Sequence, residues 1–247
     1  MWRKDLAYLF PIRSQTSASD RYWLIQLMEQ VRGRNREYRY VEIGSAVGGT
    51  LTPALLDESC VDVLSIDLRP KMQPDARNAV FDYSQISTAT MLNELKAHGF
   101  SDVAKLTTFD GRADDCDFKG RKYQMAFIDA EHTDEAVFRD FLAVYDHLEK
   151  NAICAFHDTN LVTAGLENIL AFLGYQRRKF WFGMFRDSAV SAIFLDLAGD
   201  QMSRDFLDHV CDWNDFKNRS RDELLLDIIR NRLTVTFDLK ERPVIPM

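Results

Sequence analysis

A regular alternation of β-rich and helical segments, from about residue 36 to residue 197, limits the possible folds more than any other feature of the sequence. The clearest helical segment places apolar residues along one stripe from Val137 to Leu148, as in a helix that packs on a sheet. Helices that join successive strands return the chain to the same end of the sheet, so the strands run parallel and helices cover both faces. We therefore predict a doubly wound α/β fold.

We expect seven strands in this mostly parallel sheet. The five parallel strands are predicted at Tyr40–Ile43, Val61–Ile66, Val103–Phe109, Tyr123–Ile128 and Ala152–His157. Two later β-rich runs, Gln176–Gly183 and Ala189–Asp196, predict a C-terminal hairpin that adds antiparallel strands at one edge. We divide the chain into an N-terminal helical cap (1–35), a main domain (36–197) and a C-terminal helical extension (198–247), with helices near 201–211 and 221–232.

Composition disfavours several classes of protein. The 247 residues include 31 Lys and Arg against 38 Asp and Glu, a net charge of −7, which argues against broad charge-driven binding to nucleic acid or to an anionic membrane. The longest uncharged stretch, Ile43–Leu56, is shorter than the roughly 20 apolar residues of a membrane span. The four cysteines are dispersed and no secretory signal pattern is evident, so we expect a cytoplasmic protein.

Polar residues collect where the predicted parallel strands end, and ligands of open α/β sheets bind at that edge. The first strand leads into the loop Gly44–Thr50, whose glycines allow a tight exit and a close backbone approach. The loop lacks the Gly-x-Gly-x-x-Gly spacing of a dinucleotide site. Asp67 ends the second strand, where a carboxylate can accept hydrogen bonds from both ribose hydroxyls. Together these features indicate an adenosine-containing ligand without a bound pyrophosphate. The alternative is that the loop serves only to pack a helix and that Asp67 serves only to cap a turn.

Four motifs in this order resemble the class I S-adenosylmethionine-dependent methyltransferases. They are Val41-Glu-Ile-Gly-Ser-Ala-Val-Gly-Gly-Thr50, Leu64-Ser-Ile-Asp67, Phe127-Ile-Asp-Ala-Glu-His132 and Ala155-Phe-His-Asp158. The resemblance covers residues 36–197 and is greatest to the small-molecule O-methyltransferases, which are related to catechol and natural-product sugar enzymes. It implies a Rossmann-like methyltransferase fold.

The resemblance also implies a set of cofactor contacts. The acid and loop of the first motif would surround the methionine part of S-adenosylmethionine, Asp67 would bind the ribose, and the turn after the third strand would lie near the adenine. The implied residues are Glu42, Gly44, Ser45, Ala46, Gly48, Thr50, Asp67, Leu68, Gly111, Arg112, Ala113 and Asp129.

An acceptor hydroxyl must lose its proton, either to a general base or under the influence of a bound cation. Metal-dependent O-methyltransferases hold a divalent ion, usually magnesium, with acids after strands four and five, and the equivalents here are Asp129, His157 and Asp158. Imidazole suits zinc, iron or nickel better than magnesium, so the use and the identity of a metal stay open. His132 is the alternative base, which makes His132, His157 and Asp129 the candidate catalytic residues.

The leading hypothesis is in-line transfer of a methyl group from S-adenosylmethionine to a small-molecule acceptor, most simply a hydroxyl. A catalytically inactive S-adenosylmethionine-binding module, acting as a sensor or partner, is the alternative. The loop spacing disfavours an NAD-linked oxidoreductase, and only the basic run Arg177–Lys179 supports an RNA methyltransferase. We expect no nucleic-acid or membrane partner, and a homodimer formed through the C-terminal helices is a further possibility.

Overall fold

The predicted strands assemble into one sheet in a computed structural model that describes residues 6–69, 77, 82–100, 103–197 and 204–237. Within these residues the sheet has eight strands. The strands are β1 (Tyr38–Ile43), β2 (Cys60–Asp67), β3 (Leu106–Asp110), β4 (Tyr123–Ile128), β5 (Leu148–Phe156), β6 (Phe180–Phe185), β7 (Ser191–Leu195) and β8 (Val210–Cys211).

The helices fall between the strands as the alternation predicts. They are α1 (Leu6–Leu9), α2 (Ala18–Arg34), α3 (Thr52–Leu56), α4 (Thr88–Ala97), α5 (Asp134–Tyr145), α6 (Thr163–Tyr175), α7 (Arg204–Leu207) and α8 (Trp213–Phe237), with a 3₁₀ turn at Ala113–Asp115. The Thr133 side chain caps α5 by accepting from Ala136 N, as its position before two acids indicates. None of the described helices is both long enough and apolar enough to cross a bilayer.

The strand order is β3-β2-β1-β4-β5-β7-β6-β8, and the first five strands are parallel. The chain moves outward from β1 to β3 and then returns to place β4 on the other side of β1. This reversal leaves a crevice at the carboxyl ends of β1 and β4. The doubly wound fold and the antiparallel β6–β7 hairpin are therefore confirmed.

The predicted count of seven strands was too low because the C-terminal segment adds a strand to the sheet. Val210 and Cys211 pair with Phe185 and Met184 of β6, where we had predicted part of a helix over 201–211. Phe206 is buried and packs edge-on against Phe185, which draws the chain back along β6. The second C-terminal helix is longer than predicted, and residues 198–203 and 238–247 lie outside the described part of the chain.

The core consists of two apolar layers, one on each face of the sheet. Successive residues of a strand point to opposite faces, so Tyr40 joins the layer under α2 and Val41 joins the layer under α5 and α6. Both side chains are fully buried. This packing fixes the positions at which the parallel strands end, and thereby the positions of the polar residues that follow them.

One ammonium group holds the connection between α3 and β2 against the start of β3. Nζ of Lys105 donates hydrogen bonds to the carbonyl oxygens of Ala54, Asp57 and Cys60 at 2.9, 2.7 and 2.9 Å. Two of these oxygens belong to the C-terminal end of α3, where backbone carbonyls lack partners and a cation is favoured. Partial burial lowers the pKa of Lys105.

We expect Lys105→Met to lower the free energy of unfolding by about 2 kcal/mol, because three carbonyls lose a charged donor. Urea unfolding followed by circular dichroism measures this change. Lys96→Met removes an exposed ammonium from α4 and should change the stability little. Equal stability of the two variants would contradict the structural role of Lys105.

Candidate active site

A cavity of about 480 Å³ opens at the carboxyl ends of β1, β2, β4 and β5. Most of the residues predicted from the strand ends line it. The predicted lining residues are Gly44, Ser45, Ala46, Thr50, Asp67, Asp129, His132, His157 and Asp158. Six predicted cofactor residues lie outside the lining: Glu42, Gly48, Leu68, Gly111, Arg112 and Ala113.

Gly44 lets β1 and β4 end side by side. Its φ is +93°, and a Cβ atom at this position would lie 1.9 Å from the carbonyl oxygen of Asp129. Gly44 N donates to Ile66 O, and Asp129 N donates to Ile43 O, both at 2.8 Å. A side chain at position 44 would therefore push apart the two strand ends that form the cavity floor.

Glu42 lies beneath the loop rather than on the cavity wall. Its carboxylate accepts hydrogen bonds from Thr50 Oγ1 at 2.8 Å and from the Tyr40 hydroxyl. Complete burial raises the pKa of Glu42 to about 7, although both hydrogen bonds favour the ionised form. In this structure Glu42 holds the far end of the loop Gly44–Thr50 against β1.

Asp67 lies beside a buried cation that the sequence analysis did not single out. Oδ2 of Asp67 accepts from Ala46 N at 2.6 Å, and the Arg69 guanidinium lies 3.9 Å from the same oxygen. Arg69 also donates to Ala46 O at 3.1 Å and pairs with Asp110 at 3.2 Å. Burial raises the pKa of Asp67, and the positive charge of Arg69 opposes that shift. This network joins the ends of β2 and β3 to the glycine-containing loop.

The predicted adenine region lies next to this network. Gly111 N donates to Asp67 O at 2.9 Å, and Ala113 is buried. The exposed guanidinium of Arg112 pairs with Asp114 through two hydrogen bonds of 3.0 and 3.1 Å. The adenine contacts of these residues and of Leu68 stay predictions.

His157 is enclosed by carboxylates at the end of β5. Its Nδ1 lies 3.1 Å from Asp129 Oδ1 and 3.4 Å from Asp158 Oδ2, and its Nε2 lies 3.2 Å from Asp20 Oδ2. Burial alone would lower the pKa of His157, but the carboxylates outweigh that effect and raise it well above the ordinary value. The same contacts lower the pKa of Asp20 and that of Asp158.

His132 faces the same carboxylates from the turn before α5. Its Nε2 lies 3.0 Å from Asp158 Oδ2 and 3.8 Å from Asp129 Oδ1. One potential ligand atom from each of Asp129, His132 and Asp158 lies within 4.8 Å of the others. The described residues therefore group His132 with the two aspartates as possible metal ligands, whereas the sequence had indicated His157.

The N-terminal segment forms one wall of the cavity, which the sequence analysis did not predict. Arg13, Ser14 and Gln15 line it, and a Cβ atom on Gly49 would lie 2.7 Å from Arg13 O. Tyr83 lines it from another side, and burial raises the pKa of its hydroxyl to about 12. Nothing in the sequence connected these segments to the strand ends, because the contacts are tertiary.

Residues 41–159 match a family model described as a methyltransferase domain. The match includes all four motifs. The fold and site thus define a Rossmann-like methyl-transferring enzyme. Over this part of the chain the match supports the predicted resemblance to class I S-adenosylmethionine-dependent methyltransferases, with the predicted cofactor and type of enzyme.

Solved structures with the same fold include three methyltransferases. The O-methyltransferase NovP is 13% identical over 70% of this chain and 78% of its own, with a TM-score of 0.56. The MycE methyltransferase, bound to Mg, S-adenosylhomocysteine and mycinamycin VI, is 15% identical over 81% of this chain and 57% of its own, with a TM-score of 0.53. The O-methyltransferase TomG from Streptomyces achromogenes, bound to S-adenosylmethionine, is 13% identical over 77% of this chain and 86% of its own, with a TM-score of 0.50. No curated protein sequence matches the chain.

The buried carboxyl of Glu42 should make stability depend on pH. Its pKa is about 7 in the folded chain and 4.5 in an unperturbed carboxyl, so the folded state binds more protons between these values. This group therefore lowers the free energy of unfolding as the pH rises from about 4.5 to 7.

The Glu42→Gln variant should lack this pH-dependent contribution to the free energy of unfolding. Wild type should therefore lose stability relative to the variant as the pH rises from about 4.5 to 7. Urea unfolding of both proteins at about pH 5 and about pH 8 gives the difference. Glu37→Gln neutralises an exposed carboxyl and should retain the pH dependence of wild type. If the stabilities of wild type and Glu42→Gln changed in parallel with pH, Glu42 would not have a raised pKa.

Proposed function

We propose that this enzyme transfers a methyl group from S-adenosylmethionine to a hydroxyl of a small molecule. The proposal rests on one observation: the side chains of Asp129, His132 and Asp158 lie close together in the cavity. Asp67 and residues of the loop Gly44–Thr50 line the same cavity. NovP and TomG, which share the fold, are O-methyltransferases, and the MycE structure contains mycinamycin VI beside the demethylated cofactor. The cavity volume of about 480 Å³ is in the range of small-molecule sites.

The cofactor would occupy the β1–β2 side of the cavity. Asp67 would accept hydrogen bonds from the ribose, and Ser45 and Ala46 would contact the methionine part. Asp129 would face the sulfonium, whose positive charge a carboxylate stabilises. The remaining predicted contacts, including those of Glu42, Gly48 and the turn Gly111–Ala113, would shape this half of the site.

Methyl transfer requires the acceptor oxygen, the methyl carbon and the sulfur to lie in line at near-attack distance. The oxygen forms a bond to the methyl carbon as the carbon–sulfur bond breaks, and S-adenosylhomocysteine leaves as a neutral thioether. Without a metal ion in the cavity, the hydroxyl proton would pass to His132, whose Nε2 lies among the carboxylates of the cavity. His157 would hold Asp129 and Asp158 in place, because both its ring nitrogens already face carboxylates.

The donor set of this cavity fits a divalent cation. Two carboxylates and one imidazole, from Asp129, Asp158 and His132, lie close enough to share an ion. A metal bound there would lower the pKa of an acceptor hydroxyl and orient it. The imidazole favours zinc, iron or nickel over magnesium.

The domain division and the location of the protein are also proposals. We propose a helical cap at 1–35, a methyltransferase domain at 36–197 and a C-terminal extension at 198–247, in a cytoplasmic enzyme without nucleic-acid or membrane partners. Contacts support a role for the cap, since Arg13–Gln15 line the cavity. Exposed Leu225, Leu226 and Ile229 on α8 are the face through which a homodimer would form.

Asp67→Asn should weaken binding of S-adenosylmethionine and of S-adenosylhomocysteine by about tenfold or more, because the ribose hydroxyls lose a charged acceptor. Isothermal titration calorimetry measures both affinities. Asp146→Asn, at an exposed residue at the end of α5, should bind like wild type. Absence of binding to wild type would refute the proposed function, and binding without turnover on any hydroxyl acceptor would favour the inactive module.

His132→Ala should weaken Mn²⁺ binding by about tenfold or more, because the cavity loses its nitrogen ligand. Titration of metal-free protein, followed by electron paramagnetic resonance of free Mn²⁺, measures the affinity. His98→Ala alters an exposed histidine at the end of α4 and should leave binding unchanged. Equal Mn²⁺ affinity in wild type and His132→Ala would exclude His132 as a ligand.

A further inference from the structure

Asp20 is a buried acid far in sequence from the methyltransferase motifs. It lies in the first turn of α2, outside residues 41–159, which match the family model. Only 5% of its surface is exposed. Burying a carboxylate is costly unless its oxygens have hydrogen-bonding or charged partners, so the Asp20 side chain must be stabilised by its contacts.

The two carboxylate oxygens of Asp20 contact three separate segments. Oδ1 accepts from Ser188 Oγ and from Ala189 N, both at 2.8 Å, in the turn between β6 and β7. Oδ2 accepts from Ser17 N at 2.7 Å and lies 3.2 Å from His157 Nε2. A capping box at the start of α2 accounts for the Ser17 contact alone. The contact with His157 connects α2 to the catalytic edge of the sheet.

His157 consequently has a carboxylate beside each ring nitrogen, as a hydrogen bond at Nδ1 and as an ion pair without hydrogen-bond geometry at Nε2. Asp20 lies against Nε2, and Asp129 lies 3.1 Å from Nδ1 on the opposite side of the ring. These contacts favour one orientation of the ring, because rotation would carry both nitrogens away from the two carboxylates. The Asp129 carboxylate is thereby fixed at the cavity by a chain of contacts that begins on α2.

We propose that Asp20 is a positioning residue for methyl transfer: it orients His157 and, through His157, holds the Asp129 carboxylate toward the cofactor sulfonium. This inference rests on the proposed function. In-line displacement is sensitive to position, and a displacement of 1 Å can cost about 10²-fold in rate. The N-terminal helix is then part of the catalytic arrangement as well as a cover for one face of the sheet.

The test compares two cofactor forms, because the acceptor is unidentified. S-adenosylmethionine carries a sulfonium charge that S-adenosylhomocysteine lacks, so the ratio of their affinities measures how well a carboxylate faces the sulfur. Asp20→Asn should bind S-adenosylhomocysteine like wild type but lower its relative preference for S-adenosylmethionine by about fivefold. Asp20→Glu keeps the negative charge and moves it, so it should lower the ratio as well.

A double-mutant cycle separates positioning from a long-range effect of charge. If Asp20 acts through His157, Asp20→Asn should have no further effect on the affinity ratio in a His157→Gln background. Ser188→Ala removes one hydrogen bond from Asp20 without altering His157, and it should keep the wild-type ratio.

Several outcomes would overturn the inference. They are a wild-type ratio in Asp20→Glu, an undiminished effect of Asp20→Asn in the His157→Gln background, and a Ser188→Ala variant that reproduces the change. Loss of cooperative unfolding in both Asp20 variants would assign the residue to folding alone and would also overturn it. Failure of the wild-type protein to bind either cofactor form would instead refute the proposed function.

Discussion

The close contact between Gly44 and the backbone of Asp129 is the constraint on which the rest of the site depends. It exists because β1 and β4 are neighbours although they are far apart in sequence, and because position 44 has no side chain to separate them. With the strands in contact, the loop after β1 and the acid after β4 border the same cavity. The proposed cofactor half and the proposed acceptor half of the site are therefore joined by backbone packing.

Buried charge is distributed unevenly around this contact. On the β2 side, Arg69 lies among Asp67, Asp110 and the loop carbonyl of Ala46, so the cation faces two acids. On the β5 side, His157 faces three acids. Both cations line the cavity, and each lies against carboxylates that line it as well. The arrangement holds the acids of the cavity in fixed positions.

Much of the site was predictable because its residues follow strands. Apolar runs identify parallel strands, parallel strands end at one edge, and so Asp67, Asp129 and Asp158 could be grouped without a structure. Asp20, Arg69 and the segment Arg13–Gln15 could not be grouped in this way. Their roles depend on the tertiary contacts of α2 and of the β2–α4 connection. The local periodicity of the sequence does not indicate which surfaces these segments pack against. The pair β6–β8 was missed for the same reason, since two residues are too few to show a strand pattern.

The contacts of the N-terminal segment indicate that the functional unit of this enzyme begins before the first motif. The recognisable methyltransferase motifs start at residue 41, yet the backbone of Arg13 fits against Gly49 and the Thr52 hydroxyl donates to Leu9 O at 2.6 Å. A fragment that begins at residue 41 would lose one wall of the cavity and the Asp20 carboxylate beside His157. Sequence insertions near residues 9–20 would thus alter ligand recognition, although they lie outside every motif.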